Sequence, residues 1–402
     1  MLKHNQMIWN FWKIGLLSVL VFSLVLVACD SDEPEPPIPT IDPNPDPGVD
    51  PNPDPDPDPE PGPVEVNITN LLANQIDEVI IPTYQLYQEE LDILLTEVES
   101  FVTDLMVDEK PQGDAGLENV RESYEASYIA YQAAALHNYF ATANSDLVNT
   151  TNLYPIDLSQ LDEFIAEEAF NFNVTAQRRA NGFPALDYLL YGNDDILAFY
   201  QEDPRRLTFL QALVTSMKER ADLLVESWTG SLRQDFVDNG GVELGSSVSV
   251  QLNSSIIYYE EHIRENKVGI PIGRIGPNDT PIEPDATKIE GFYQSLREGN
   301  GDISLVLLRA SIEEMEDLYL GTTSSGEDDI GYDDLLRERD LSAIDTDIQV
   351  QFEEIYNQIN NRSSISGDEE LYNSIQGLIT LYKSDLFPVL NVQDADGSND
   401  GD

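Results

Sequence analysis

The chain has 402 residues, with 75 acidic side chains against 21 Lys and Arg, and a formal net charge of −54. This charge excludes nucleic acid as a partner, because such binding depends on neutralising phosphates with Lys and Arg. The single cysteine excludes a disulfide framework, so the folded part must rely on packed cores.

Residues 1–28 have the pattern of a secretory signal. Lys3 and Lys13 precede an apolar run over residues 14–27, which is short for a membrane span. The run ends in Leu-Val-Ala-Cys29, which resembles a lipoprotein box whose cysteine is lipidated and becomes the mature N-terminus. We therefore predict a membrane anchor at Cys29 and a place in the cell envelope, as an outer-membrane lipoprotein that is periplasmic or surface-exposed.

Residues 29–65 form the predicted linker between this anchor and the folded part. The stretch alternates Pro and Asp over much of its length and contains twelve acidic residues but no Lys or Arg. Proline removes backbone donors and like charges repel, so an extended, disordered stalk is expected. Its first residues, Asp30-Ser31-Asp32-Glu33, resemble the export signal of surface lipoproteins, but the start of an acidic linker explains them equally well.

From Val66 onward the hydrophobic period is helical, and we predict an all-α fold of antiparallel bundles. Apolar residues recur three and four positions apart, a pattern that requires a partner face. Residues 248–252 alone suggest a strand, and a helix that begins at Ser246 and Ser247 explains them as well. The stripes include Leu91, Leu94 and Val98; Leu207, Leu210 and Leu213; and Ile348, Phe352 and Ile355.

The segment over residues 178–192, RRANGFPALDYLLYG, closely resembles the GxHxxE signature of the imelysin-like family of bacterial envelope proteins. That family is built of two related helical bundles with the signature near their junction. The resemblance implies bundles over residues 66–240 and 241–393, followed by an acidic tail over residues 394–402. Other segments that resemble the family are Tyr258–Arg264, Lys267–Pro271, Lys288–Ser304 and Gly331–Leu336.

The signature departs from the family pattern at its two chemical positions. Gly182 is kept, but Pro184 stands where the family has its histidine, and Asp187 where it has its glutamate. Proline suits the first turn of a helix, and an acid near the N-terminus of a helix is favoured by the helix dipole. Local helix physics therefore explains these residues better than catalysis does, and we predict no catalytic residue.

A binding site is predicted where the signature and a later echo of it would meet. The echo, Gly331 to Leu336, contains Asp333 and Asp334, while Arg178 and Arg179 come directly before the signature. If the two segments meet at the bundle junction, these arginines and acids, with Gly182, Pro184 and Asp187, form one buried polar site. A solvated arginine pair at a helix end is the equally weighted alternative.

Other patterns indicate metal binding only weakly. His262 and Glu265 are three residues apart, which is the spacing missing from the signature, but no HExxH pattern or nearby second histidine accompanies them. The tail from Asp394 to Asp402 has oxygen ligands at alternate positions, as a calcium loop does, but lacks the closing glutamate. A disordered acidic tail is the favoured interpretation.

The resemblance implies a role in iron acquisition. We predict a non-catalytic protein that binds a small ligand or a metal, with iron or another divalent cation as the candidate cofactor. The alternatives are a metal-dependent peptidase of the imelysin type and a scaffold for another envelope protein.

Overall fold

The computed structural model describes residues 65–107, 113–140, 145–168, 170–173, 175–276, 280–297, 302–365 and 369–395. The predicted signal, Cys29, nearly all of the linker and most of the acidic tail lie outside these residues. The described residues fall within one compact unit.

The described chain is all-α, as predicted. Its first half begins with α1 (Ile68–Asn74), a π-helical turn (Gln75–Ile80) and the long helix α2 (Ile81–Val107). The helices that follow are α3 (Gly113–Leu136), α4 (Leu147–Thr151), α5 (Leu158–Glu167), a 3-10 turn (Thr175–Ala180), α6 (Gly182–Tyr191), α7 (Ile196–Glu202), α8 (Arg205–Thr229) and α9 (Ser231–Asp238).

The second half starts with α10 (Ser247–Tyr258), so the ambiguous residues 248–252 are helical. A π-helical stretch (Tyr259–Gly269) continues it directly. The remaining elements are a 3-10 turn (Ala286–Lys288), α11 (Phe292–Ser295), α12 (Ile303–Leu320), α13 (Tyr332–Glu338), α14 (Ser342–Asn360), α15 (Glu370–Leu381), a π turn (Tyr382–Leu386) and α16 (Phe387–Leu390).

The core is formed by the apolar stripes of the long helices. Helix α2 packs against α3 and α8, and α14 packs against α15. Helix α12 packs along α3, so the two halves of the chain share a helix-on-helix contact. The buried stripe residues Leu91, Leu210 and Phe352 confirm the predicted inward faces. The junction of two bundles near residue 240 falls in the loop between α9 and α10 and stays a prediction.

The π-helical stretch carries charged side chains into the interior. Glu260, Arg264 and Lys267 all lie on it and are all buried. π-helical geometry is rare and is frequently found at functional sites. Among the described residues, no helix is both long and apolar enough to cross a bilayer.

Candidate functional site

The signature helix α6 begins as the sequence predicts. Asn181 is its N-cap, with a side-chain oxygen that accepts a hydrogen bond from the Gly182 N–H at 2.7 Å. Gly182 has φ of +66°, and a Cβ there would lie 1.8 Å from the carbonyl oxygen of Thr151 at the end of α4. Pro184 lies buried in the first turn, where its missing N–H is not needed. Only glycine therefore fits the start of this helix against α4.

Asp187, at the position of the family's glutamate, caps a different helix. Its carboxylate accepts hydrogen bonds from the backbone N–H groups of Tyr293 at 2.8 Å and Gln294 at 2.9 Å. These groups lie in the first turn of α11, whose own N-cap residue is Gly291 and has no side chain to offer. Burial raises the pKa of Asp187 to about 7, although the two backbone hydrogen bonds oppose the shift. Asp187 thus fixes the segment around α11 to the signature helix.

The raised pKa predicts a pH dependence that Asp187→Asn removes. Because the folded protein holds this proton more tightly than the unfolded chain does, stability from this group is full near pH 4 and is lost as pH rises to about 7. Relative to the native protein, the variant should therefore gain roughly 1–4 kcal/mol of unfolding free energy between pH 4 and pH 7. Urea denaturation across this range measures it. Asp195→Asn, at the exposed cap of α7, should show no such trend.

A buried polar cluster lies between the two halves of the chain. Lys267 forms an ion pair with Glu290, and each side chain is only 2% exposed. Gln132 on α3 accepts a hydrogen bond from Lys267 Nζ at 2.6 Å. Asn152 donates to Glu290 and accepts from the hydroxyl of Tyr128 at 2.7 Å. The cluster therefore links α3, the segment after α4, the π-helical stretch and the segment before α11.

A cleft of about 500 Å³ opens at the C-terminal end of the signature helix. The guanidinium carbons of Arg121 and Arg297 lie 4.8 and 5.8 Å from the ring centre of Tyr191. Arg121 is buried and donates from both Nε and Nη2 to the carbonyl of Leu190. The cleft is lined by Tyr191, Gly192, Asn193, Asp194, Tyr293, Leu296 and Arg297.

A comparison with known families identifies this architecture. The Imelysin family model matches residues 80–380 of the chain. The chain belongs to the imelysin family.

Two solved structures with the same fold are each 16% identical to this imelysin chain, with a TM-score of 0.62. One is an imelysin-like protein from Psychrobacter arcticum 273-4, with 83% of this chain and 99% of that chain covered. The other is described as a "putative iron-regulated protein A precursor" from Parabacteroides distasonis ATCC 8503, with 80% and 94% covered. No curated protein matches the chain. At this identity the likeness shows the fold alone.

The predicted arginines, Arg178 and Arg179, are not among the residues that line the cleft. The carbonyl of Arg179 accepts a hydrogen bond from the N–H of Asp157 at 2.9 Å, which fixes the backbone before the signature. The side chain of Arg178 is half-buried and that of Arg179 is exposed, and neither forms an ion pair with another described residue. The expectation that they pair with Asp187, Asp333 or Asp334 is therefore wrong for the described residues. The exposure of Arg179 agrees with the alternative of a solvated pair, whereas Arg178 is half-buried.

The echo segment forms a separate cluster of its own. Asp333 is fully buried and pairs with Arg337, which also bonds to Asp334 at 2.9 Å and to Asp345 at 3.1 Å. Burial and the neighbouring Asp334 raise the pKa of Asp333 to about 7, and Arg337 opposes the shift. None of these partners contacts Asp187, so the structure does not bring the two segments together in one site.

The two described histidines both pack against neighbouring side chains. His262 stacks on Tyr258 with ring centres 5.0 Å apart, and burial together with nearby Lys267 lowers its pKa to about 4. His137, which the sequence did not single out, is fully buried and pairs with Glu314 on α12. Across the described residues, no group of three or more His, Cys, Asp and Glu side chains has a geometry that could hold a metal ion.

Several buried polar atoms around the signature have no hydrogen-bond partner among the described residues. An unpaired buried polar group costs about 1–3 kcal/mol, and such groups concentrate where function requires them. Among these atoms is Gln132 Nε2, on a member of the cluster itself; Gln294 Oε1, Tyr124 Oη and Tyr154 Oη are others. Sequence reasoning missed this cluster because its members come from distant segments, although Lys267 and Glu290 lie in segments that resemble the family.

Proposed function

We propose that this imelysin-family chain is a non-catalytic envelope lipoprotein that binds a small ligand in connection with iron acquisition. The lipoprotein box at Cys29 supports the envelope location. The link to iron is supported by the likeness to a protein described as iron-regulated. The proposed binding site is the cleft at the C-terminal end of α6.

One observation carries the proposal. Both carboxylate oxygens of Asp187 accept backbone hydrogen bonds from α11, and Tyr293, one of the two donors, lines the cleft. The carboxylate of Asp187 is buried with both oxygens bonded to backbone, and Pro184 has no ligand atom, which favours a structural role for the signature over the peptidase. The signature segment therefore helps to form one wall of the cleft.

A cleft-filling variant tests this proposal. Asn193 is exposed and lines the cleft, so Asn193→Trp is expected to block the cleft without disturbing the core. The lipidated protein would be extracted from iron-limited cells of its source, followed by native mass spectrometry for bound small molecules and elemental analysis for iron. We expect a bound species in the native protein and its loss in Asn193→Trp.

Asn357→Trp on α14 provides the matched control, because Asn357 is also exposed but lies outside the cleft lining. It should keep the bound species. Equal retention in Asn193→Trp would reject the cleft as the site. Peptide cleavage that is lost in a folded Asp187→Ala variant would instead support the peptidase, and stoichiometric co-purification of a protein with no small ligand would support the scaffold.

A further inference from the structure

Two basic side chains lie close to one wall of the cleft in this acidic molecule. Only 21 Lys and Arg residues are present in the chain, yet Arg121 and Arg297 both lie against the ring of Tyr191. Two guanidinium groups this close repel each other, and burial together with the charge of Arg297 lowers the pKa of Arg121. Glu118, 3.5 Å from Arg121, offsets part of this repulsion, and a further negative charge beside the exposed Arg297 would also be stabilised.

The two arginines differ in freedom. Arg121 is held by the Leu190 carbonyl and lies 3.5 Å from Glu118, so it is a fixed charge in the wall behind Tyr191. Arg297 is exposed, lines the cleft and forms no ion pair with another described residue. The N–H donors of its planar guanidinium are therefore available to a carboxylate, whose two oxygens match their geometry.

The walls of the cleft favour an organic ligand over a bare ion. Tyr191 and Tyr293 supply aromatic surface, and Leu296 adds an apolar side chain that is 65% exposed. Asn193 and Arg297 add polar groups beside them, so the lining is mixed and suits a small organic molecule that carries a charged group. The lining also includes the exposed carboxylate of Asp194, which opposes an anion at the rim.

We propose that this cleft binds a small organic carboxylate, with Arg297 contacting the carboxylate and Arg121 adding a fixed positive charge behind Tyr191. The inference rests on the proposed function and names its ligand class. The cleft would then prefer an anionic ligand even though the acidic surface of the molecule attracts cations in general.

Benzoate and benzylamine test the proposal, because they share a ring and a size but carry opposite charges. In ligand-observed NMR titrations of the folded protein, benzoate should bind and benzylamine should bind at least about tenfold more weakly. Arg297→Gln should weaken benzoate binding by about tenfold, the size expected for one charge-assisted hydrogen bond. Asp194→Asn should strengthen it severalfold, because a like charge is removed.

Arg309→Gln is the matched control, since Arg309 also lies over a tyrosine ring, that of Tyr356, at 5.1 Å but outside the cleft. It should leave benzoate binding unchanged. Benzylamine binding as tight as benzoate, or benzoate binding that is indifferent to Arg297→Gln, would overturn the proposal. Those results leave the Asn193→Trp test of the cleft itself unaffected, so failure of the ligand class is distinguishable from failure of the site.

Discussion

Lys267→Met is expected to destabilise the protein by about 3–5 kcal/mol, because it leaves Glu290 buried without its counter-charge. Removing Lys267 also leaves the side-chain oxygen of Gln132 with only the 3.2 Å hydrogen bond from the Ser311 hydroxyl, so the loss extends beyond one ion pair. Burial lowers the pKa of Lys267, while the Glu290 carboxylate opposes this and favours the charged lysine. Each charge of the pair therefore offsets part of the cost of burying the other.

The double variant Lys267→Met with Glu290→Leu shows whether the ion pair stabilises the fold or only offsets the cost of burying its two charges. Replacing a buried ion pair by apolar residues of similar size is often neutral or stabilising, so the double variant should recover most of the loss. Unfolding free energies of the native protein, the single variants and the double variant form a double-mutant cycle. Guanidinium denaturation followed by circular dichroism measures each value.

Arg233→Gln is the control for this cycle. Arg233 pairs with Asp77 at the surface, where both side chains are more than a third exposed, and its loss should cost at most about 1 kcal/mol. A Lys267→Met cost as small as that of Arg233→Gln would contradict the buried cluster. A double variant that is stable but no longer retains the species bound to the native protein would tie the cluster to binding and not only to folding.

The helices and the start of α6 could be predicted from the sequence alone. The stripes of Leu91, Leu210 and Phe352 are local patterns, and burial of one face follows from their period alone. The role of Pro184 in the first turn also follows from local chemistry. These features depend on neighbours within a few residues, which a single sequence displays directly.

The partners of charged residues could not be predicted in the same way. Asp187 bonds to Tyr293 and Gln294, more than a hundred positions away, and no period or spacing indicates that pairing. The scarcity of basic residues makes Arg178 and Arg179 conspicuous in the sequence, but the buried basic residues include Arg121 and Lys267 instead. What distinguishes Arg121 and Lys267 is tertiary burial, which composition does not encode.

Gly182→Ala is expected to destabilise the protein by at least about 4 kcal/mol or to prevent folding, because two independent costs combine there. A side chain at φ of +66° costs roughly 1–2 kcal/mol, and the added Cβ would lie 1.8 Å from the backbone oxygen of Thr151. Neither atom can move without separating α6 from α4. Thermal and urea unfolding of the variant measure the loss.

Two other glycines isolate these costs. Gly245 has φ of +89°, and a Cβ added there would meet no atom within 4 Å beyond its chain neighbours, so Gly245→Ala should cost only about 1–2 kcal/mol. Gly331, in the echo segment, has φ of −115°, but its Cβ would lie 2.3 Å from the carbonyl carbon of Leu320 at the end of α12. Gly331→Ala therefore measures the contact without the backbone strain.

The order expected for these variants is that Gly182→Ala is the most destabilising, Gly331→Ala intermediate and Gly245→Ala the least. In both segments the glycine lies against the last residue of a preceding helix, Thr151 of α4 or Leu320 of α12. A shared steric requirement at the start of a helix thus explains the internal echo, even though Asp187 and Asp333 have different partners. A Gly182→Ala variant as stable as Gly245→Ala would show that α4 can move away, and the close contact would then no longer account for the glycine.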